Sequence, residues 1–167
     1  MCTAYVVDDE IIAREGIIKL TEMCGVQVIG EADDGESALL DIMNLNPDIV
    51  ISDVKMYRMN GIEMATKLRE RGYRGKILFV SAYEEVEFLK AALKINANDY
   101  ILKPVNSKEY KEVIKKVVKT LEHEKEVQRQ AALVDKNLIR IMPFLTGELV
   151  LSLIEGAYES TESVEKT

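Results

Sequence analysis

An α/β fold, five parallel strands alternating with five helices that cover both faces of one sheet, is what this sequence predicts. Three observations carry the prediction. Short apolar runs rich in β-branched residues recur along the chain, as strands buried on both faces require. Between them lie stretches whose apolar residues recur at helical spacing. Polar residues able to do chemistry stand just beyond the strand runs, where an open parallel sheet places its ligand crevice. Alternation of this kind implies right-handed crossovers and helices on both sides of the sheet.

Thr3-Ala4-Tyr5-Val6-Val7 reads as a first buried strand and runs into Asp8-Asp9-Glu10. Ile11, Ile12, Gly16, Ile17, Ile18 and Leu20 then recur at helical spacing up to Met23, and Gly25 can end that helix with a positive φ. Val26 to Ala32 forms a second strand. Asp34-Gly35-Glu36 starts a helix whose inner face is Ala38, Leu39, Ile42, Met43 and Leu45. Pro47-Asp48 introduces the third strand, Ile49 to Ser52, and Asp53 stands at its carboxyl end. Val54 to Asn60 has no periodicity, is long enough to be a functional loop, and closes on the turn signal Asn60-Gly61.

Ile62, Met64, Ala65, Leu68 and Arg69 trace a third helix ending near Gly72. Lys76 to Val80 is a fourth strand with Ser81 at its end, and Phe88 to Ile95 a fourth helix. Asp99 to Leu102 is a short fifth strand followed by Lys103-Pro104. Tyr110, Val113, Ile114, Val117, Val118 and Leu121 line a fifth amphipathic helix.

Composition limits the function classes. The 167 residues leave room for one ordinary domain and a short extension, and a hydrophobic content of 47% supports a real core. A net charge of -7 argues against nonspecific nucleic-acid binding by this chain, because neutralising phosphates needs a basic surface. Cys2 and Cys24 lack metal-ligand spacing and follow no secretory segment, so they read as reduced cysteines of a cytoplasmic protein. No apolar run approaches the length of a membrane span, and no membrane partner is expected.

Asp8, Asp9, Asp53, Ser81 and Lys103 all fall at strand carboxyl ends. Parallel strands bring those ends to one edge, so residues far apart in the chain converge on one crevice. Three unpaired carboxylates there would repel one another, and the site needs a cation. Hard oxygen ligands suit Mg²⁺. A metal at Asp53 can bridge to an oxygen of an incoming phosphoryl group, a lysine ammonium gives a second positive contact, and a hydroxyl a hydrogen bond. The bland alternative makes the aspartates helix caps and Lys103 a solvated side chain; five such residues on one edge weigh against it.

These motifs resemble the receiver domain of bacterial response regulators over about residues 3 to 121. The matching pieces are Asp8-Asp9 after the first strand, Asp53 after the third, Ser81-Ala82 after the fourth and Lys103-Pro104 after the fifth. The resemblance implies a flavodoxin-like doubly wound sheet of strand order 2-1-3-4-5. It makes Asp53 the phosphoacceptor, with Mg²⁺ held by Asp8, Asp9, Asp53 and the backbone carbonyl of Lys55. It makes Ser81 the switch hydroxyl, Lys103 the phosphate-pairing lysine, Tyr100 the aromatic that changes rotamer, and Lys103-Pro104 a cis peptide. The implied activity is two-component signalling rather than enzyme turnover, with a sensor histidine kinase as phosphoryl donor. The chain departs from the family pattern at two places. Met56 is followed by Tyr57 instead of proline, which puts the rigidity of the loop in question, and Ser81 replaces the commoner threonine.

Beyond Leu121 the character changes. Glu122 to Gln130 is polar apart from Val127, and reads as an exposed continuation of the fifth helix able to pair in a homodimer. His123, the single histidine, reads as a solvated surface residue among charged neighbours. From Leu133 to Ile154 apolar residues return, Pro143 splits them into two short helices, and Ala157 to Thr167 reads as a flexible tail. The expected organisation is therefore a receiver over residues 1–121, a helical linker or dimerisation segment over 122–156, and a tail over 157–167. The linker, together with Tyr83 to Phe88, resembles that of regulators carrying an AraC-type DNA-binding domain. Eleven residues after Gly156 are too few for such a domain. DNA is then expected as a partner only through an output domain missing from this chain, or else the receiver signals alone by protein contact.

Two rival classes fit less well. A haloacid-dehalogenase-type phosphatase needs an Asp-x-Asp pair on one strand, where this chain has adjacent Asp8 and Asp9. A flavodoxin-like binding module wants a phosphate-cradling loop rich in Ser, Thr and Gly after its first strand, where this chain is acidic.

Overall fold

The computed structural model describes residues 2–82 and 86–133. The elements are β1 (Thr3–Val7), α1 (Ile11–Glu22), β2 (Gln27–Ala32), α2 (Gly35–Leu45), β3 (Ile49–Ser52), α3 (Gly61–Glu70), β4 (Lys76–Ser81), α4 (Val86–Lys94) and β5 (Asp99–Leu102). Residues 107–133 are helical and carry the label α5 here. The linker and tail expectations beyond residue 133, and those on Tyr83 to Glu85, lie outside the described residues. The five strands form one parallel sheet of order β2-β1-β3-β4-β5, as the resemblance implies.

Strand alternation divides the core of the unit ending at Leu121 into two layers. Ala4, Val6, Ile49, Ile51, Leu78, Val80 and Ile101 point to one face, where Ile17 of α1 and Tyr110, Ile114, Val117 and Leu121 of α5 cover them. Tyr5, Val7, Val50, Ile77 and Phe79 point to the other, under Ala38, Leu39 and Ile42 of α2, Met64, Ala65 and Leu68 of α3, and Ala92 of α4. The period of two in the strands and of three to four in the helices produces this division directly.

The few polar groups in the core are paired, as burial requires. Thr21 of α1 and Tyr110 of α5 share a 2.6 Å hydrogen bond between hydroxyls. The Tyr5 hydroxyl donates to Asp41 at 2.8 Å, which ties β1 to α2.

Two expectations of local structure change. Asn60-Gly61 opens α3 instead of making a turn: the Asn60 side chain accepts from the Glu63 N–H at 2.9 Å, the geometry of an N-cap. Leu45, expected on the inner face of α2, is 48% exposed, because it lies in the last turn of that helix. Arg69 reaches past the end of α3 and donates to the carbonyls of Tyr73, Gly75 and Ile95 at 2.9, 2.8 and 3.1 Å. Gly25 has the expected positive φ, at 80°. Among the described residues no helix is long and apolar enough to cross a membrane.

Gly61 has a requirement that no motif announced. A Cβ built on it would lie 2.0 Å from the Asp53 carbonyl oxygen and 2.8 Å from Ser52 Oγ, so α3 can begin beneath β3 only on a glycine. Gly16, inside α1, has nothing within 4 Å of such a Cβ. Gly61→Ala is expected to lower stability by about 1–3 kcal/mol, the usual range for forcing a group into filled space. Gly16→Ala should raise it by about 0.5–1 kcal/mol through helix propensity. Urea unfolding of the two variants checks the opposite signs.

Candidate functional site

The site is built by register. β1 and β3 pair with Val7 opposite Ser52, so Asp8 and Asp53 leave neighbouring strands side by side. The Asp53 N–H donates to the Val7 carbonyl at 2.8 Å and the Asp8 N–H to the Ala32 carbonyl at 3.1 Å, which holds both residues just past the ladder. Lys103 follows β5, and its N–H donates to the Ser81 carbonyl at 2.8 Å. Its Nζ lies 2.8 Å from Asp8 Oδ2 and 2.7 Å from Asp53 Oδ2. The Lys103–Pro104 peptide is cis.

Each carboxylate is oriented on its other oxygen. Asp53 Oδ1 accepts from the backbone N–H of Val54 and, at 3.3 Å, from that of Lys55. Asp8 Oδ1 accepts from the Glu10 N–H at 2.9 Å, the residue that precedes α1. Thus Asp8 does serve one helix N-terminus, but its second oxygen faces the site.

Burial sets the electrostatics. Asp8 and Asp53 are 2% and 8% exposed. Burial pushes the Asp8 carboxyl above its usual range, Lys103 and the Glu10 N–H pull it back, and the charge of Asp53 raises it further. For Lys103, burial works against the ammonium but is outweighed by its two carboxylate partners, which hold the pKa above the ordinary lysine value.

Asp9 is exposed, yet one oxygen each from Asp8, Asp9 and Asp53 can be chosen so that all lie within 4.8 Å of one another. Three carboxylates with a single ammonium between two of them leave negative charge uncompensated, and the donor set is wholly hard oxygen. Such a set fits a divalent cation of the Mg²⁺ type.

Asp53 opens to solvent through a cleft of about 590 Å³, lined among others by Asp9, Lys55, Met56, Tyr57, Ala82 and Lys103. The remaining expected residues are farther out. Ser81 is fully buried as the last residue of β4, opposite Leu102, and the residue lining the cleft is its neighbour Ala82. Tyr100 lies on β5, half-buried, with its ring centroid 6.2 Å from that of Phe79, beside an apolar pocket formed with Leu89, Ala92 and Leu93 of α4. Lys55 sits with its ammonium 5.4 Å from the centre of the Phe88 ring, a cation–π contact between the loop and α4. Neither Phe88 nor Tyr57 was singled out as a site residue in the sequence, where Phe88 read as helix core and Tyr57 as a departure from pattern.

Residues 4–115 match the family model of the response regulator receiver domain. The sensory transduction protein LytT of Bacillus anthracis is 35% identical over 131 residues, which cover 78% of this chain and 52% of LytT. The transcriptional regulatory protein YesN of Bacillus subtilis is 29% identical over 151 residues, 89% of this chain and 41% of YesN. Among solved structures, the REC domain of the response regulator AraT from Geobacillus stearothermophilus is 30% identical, with a TM-score of 0.68, over 74% of this chain and 98% of that one. The chain thus spans about half the length of the curated relatives it matches.

Among the described residues Lys103 pairs with both buried carboxylates, so its removal leaves like charges facing each other. Lys103→Ala is expected to lower stability at pH 7 by about 1–3 kcal/mol. A carboxyl whose folded pKa is raised contributes stability below its unfolded pKa and loses it as pH rises through the folded value. Asp8 is such a group, more so without the ammonium. The deficit of the variant should therefore be smallest at acid pH, where Asp8 is protonated, and grow as pH rises through its raised folded value. Urea unfolding from acid to neutral pH measures it, and a deficit independent of pH would assign the loss to packing instead.

Proposed function

Because this chain belongs to the response regulator receiver family, we propose that it accepts a phosphoryl group on Asp53 from a sensor histidine kinase and turns the added charge into a change of surface. The observation that supports this reading most directly is Lys103 Nζ lying within 2.8 Å of both Asp8 and Asp53 at the floor of an open cleft. One carboxylate oxygen of Asp53 is fixed by backbone N–H groups, while the other faces a cation and the cleft. That is the arrangement a nucleophilic carboxylate needs: one rotamer, and an approach open to phosphorus.

In this reading Asp53 is the phosphoacceptor. The donor's P–N bond breaks as the bond from an Asp53 oxygen to phosphorus forms. Lys103 stays with the phosphoryl oxygens and offsets their charge. Asp8, Asp9, Asp53 and the Lys55 carbonyl would hold Mg²⁺, which when bound would screen the repulsion between the carboxylate and the incoming group. The Ser81 hydroxyl, buried at the end of β4, is drawn toward the phosphoryl oxygens and donates a hydrogen bond to them. That movement loosens the ground around Tyr100, whose ring has the apolar pocket against α4 beside it to move in. A charge added at one edge is thereby read at the α4–β5 surface.

The proposed organisation assigns the receiver to residues 1–121, a linker or dimerisation segment to 122–156, and a tail to 157–167. Val127 is 52% exposed on residues 122–133, an apolar position that a second copy of the helix would cover in a homodimer. The output we assign is control of transcription through a DNA-binding domain carried beyond the matched region, in a cytoplasmic protein. It is supported by the similarity to a transcriptional regulatory protein of which this chain spans less than half. The AraC-type identity of that domain rests on the resemblance of the linker.

Incubation with acetyl phosphate and Mg²⁺ should label the wild-type chain, and Asp53→Ala should abolish the label. Asp9→Asn should raise the Mg²⁺ concentration for half-maximal labelling roughly ten-fold or more, as loss of a metal-site partner does. Label retained on Asp53→Ala, read by phosphate-affinity electrophoresis, would refute the assignment.

A further inference from the structure

The loop from Asp53 to Asn60 is held by contacts that no proline supplies. Arg58 has φ 64°, in the left-handed region that a non-glycine residue occupies only under constraint, and the Met59 N–H donates to the Tyr57 carbonyl at 2.9 Å around it. This is a γ-turn with a positive central φ, a strained conformation. It persists because both sides are fixed. On one side Gly35 opens α2 so close that a Cβ there would lie 2.6 Å from the Met59 carbonyl oxygen. On the other the Gly61 N–H donates to the Val54 carbonyl at 2.8 Å and Asn60 caps α3.

The turn has one visible product. It carries Tyr57 on the cleft wall, with the Arg58 guanidinium 5.9 Å from the centre of its ring. Tyr57 is 76% exposed although it lines the cleft that leads to Asp53. A large aromatic held in water by a strained backbone is stabilised by little in the folded chain itself. Its surface becomes useful only when something flat enters the cleft.

We propose that Tyr57 is a specificity-determining residue of the phosphoryl transfer, contacting the leaving group of the donor at the cleft mouth and favouring a flat aromatic one. The inference rests on the reading of Asp53 as phosphoacceptor. Asp53 is 8% exposed, so phosphorus reaches it only through the cleft, and the group it leaves behind departs toward the open side. In the transfer, an Asp53 oxygen donates its electron pair to phosphorus as the P–N bond of a phosphoimidazole breaks. The bond pair stays on the departing nitrogen, and the ring leaves as neutral imidazole, its other nitrogen keeping its proton. Imidazole can stack or meet edge to face with a phenol ring. Acetate, leaving from acetyl phosphate, has no such ring and gains nothing comparable.

The test compares two small donors, N-phosphoimidazole and acetyl phosphate, on the full chain with Mg²⁺, measuring kcat/KM of labelling for each. Tyr57→Ala should lower the ratio of phosphoimidazole to acetyl phosphate labelling roughly three- to ten-fold, the range an aromatic pair supports. Tyr57→Phe should keep the wild-type ratio. Because the side chain is exposed, both variants should unfold at the wild-type urea midpoint, and the ratio cancels any uniform loss of competent protein. A ratio in Tyr57→Ala within about two-fold of wild type, with Asp53 still labelled, overturns the role of Tyr57 alone. A wild-type chain that takes label from neither donor overturns the phosphoacceptor reading, and this inference with it.

Discussion

One ammonium lying between two buried carboxylates is the constraint on which the site end of this molecule depends. Lys103 Nζ is within 2.8 Å of Asp8 and of Asp53, and those side chains are 3% and 9% exposed. A carboxylate buried to that degree needs a partner, or it takes up a proton and stops being a nucleophile. The pair of aspartates still exceeds the one lysine by a full charge, and Asp9 adds another at the rim. The site thus holds a standing deficit of positive charge. A divalent cation reduces it, and the same deficit rejects a bare phosphate that arrives without one. In the proposed reading, acceptance of phosphorus and dependence on a metal would be two consequences of one imbalance.

Such an imbalance can be tolerated only if the backbone does not yield to it. Here β1 and β3 are pinned at both ends. At the amino end Thr3 N–H donates to Asp48 Oδ2 at 2.9 Å, and the Asp48 N–H to Thr3 Oγ1 at 3.1 Å. At the carboxyl end Asp53 N–H donates to the Val7 carbonyl at 2.8 Å. Between them the alternation of Ala4, Val6, Ile49 and Ile51 against Tyr5, Val7 and Val50 commits each strand to both core layers. A one-residue slip would turn every one of these side chains to the wrong layer. The core therefore fixes which two acidic groups become neighbours, and hydrophobic packing opposes their repulsion.

This division of labour explains what could be read from the chain and what could not. Strands such as Ile49 to Ser52 are legible because a strand buried on both faces has almost no choice of composition. The meeting of Asp8, Asp53 and Lys103 follows from the parallel topology with no further information. The loop between Asp53 and Gly61 is another matter. Its shape is set by distances of approach, a Cβ at Gly61 lying 2.0 Å from the Asp53 carbonyl and one at Gly35 lying 2.6 Å from that of Met59. Close approach leaves only the letter G in a sequence, and Asn60-Gly61 reads equally well as a turn or as a cap with the first residue of a helix. Leu45 misled for a related reason, since periodicity continues to the last turn of α2, where the residue borders Gly30 of the edge strand β2 and stays 48% exposed. Ser81 falls at the edge its motif requires, but which way a buried hydroxyl turns is a matter of side-chain packing that spacing does not encode.

The absence of proline after Met56 then has a physical reading. Proline would restrict one φ in the loop at no expense to tertiary contacts. This chain reaches a defined loop by other means: two glycines that let α2 and α3 close on it, an asparagine cap, and a left-handed residue at Arg58. Rigidity obtained from contacts differs from rigidity obtained from a ring in one respect. It is conditional on the positions of the helices that make those contacts. Met59 bears on the first residue of α2, Gly61 is the first residue of α3, and Lys55 reaches Phe88 of α4. Three helices thus meet the loop that carries the cleft wall, and a shift in any of them is felt beside Asp53. By the reciprocity of coupled equilibria, a charge added at Asp53 must bias those helices to the same degree that their position biases its arrival.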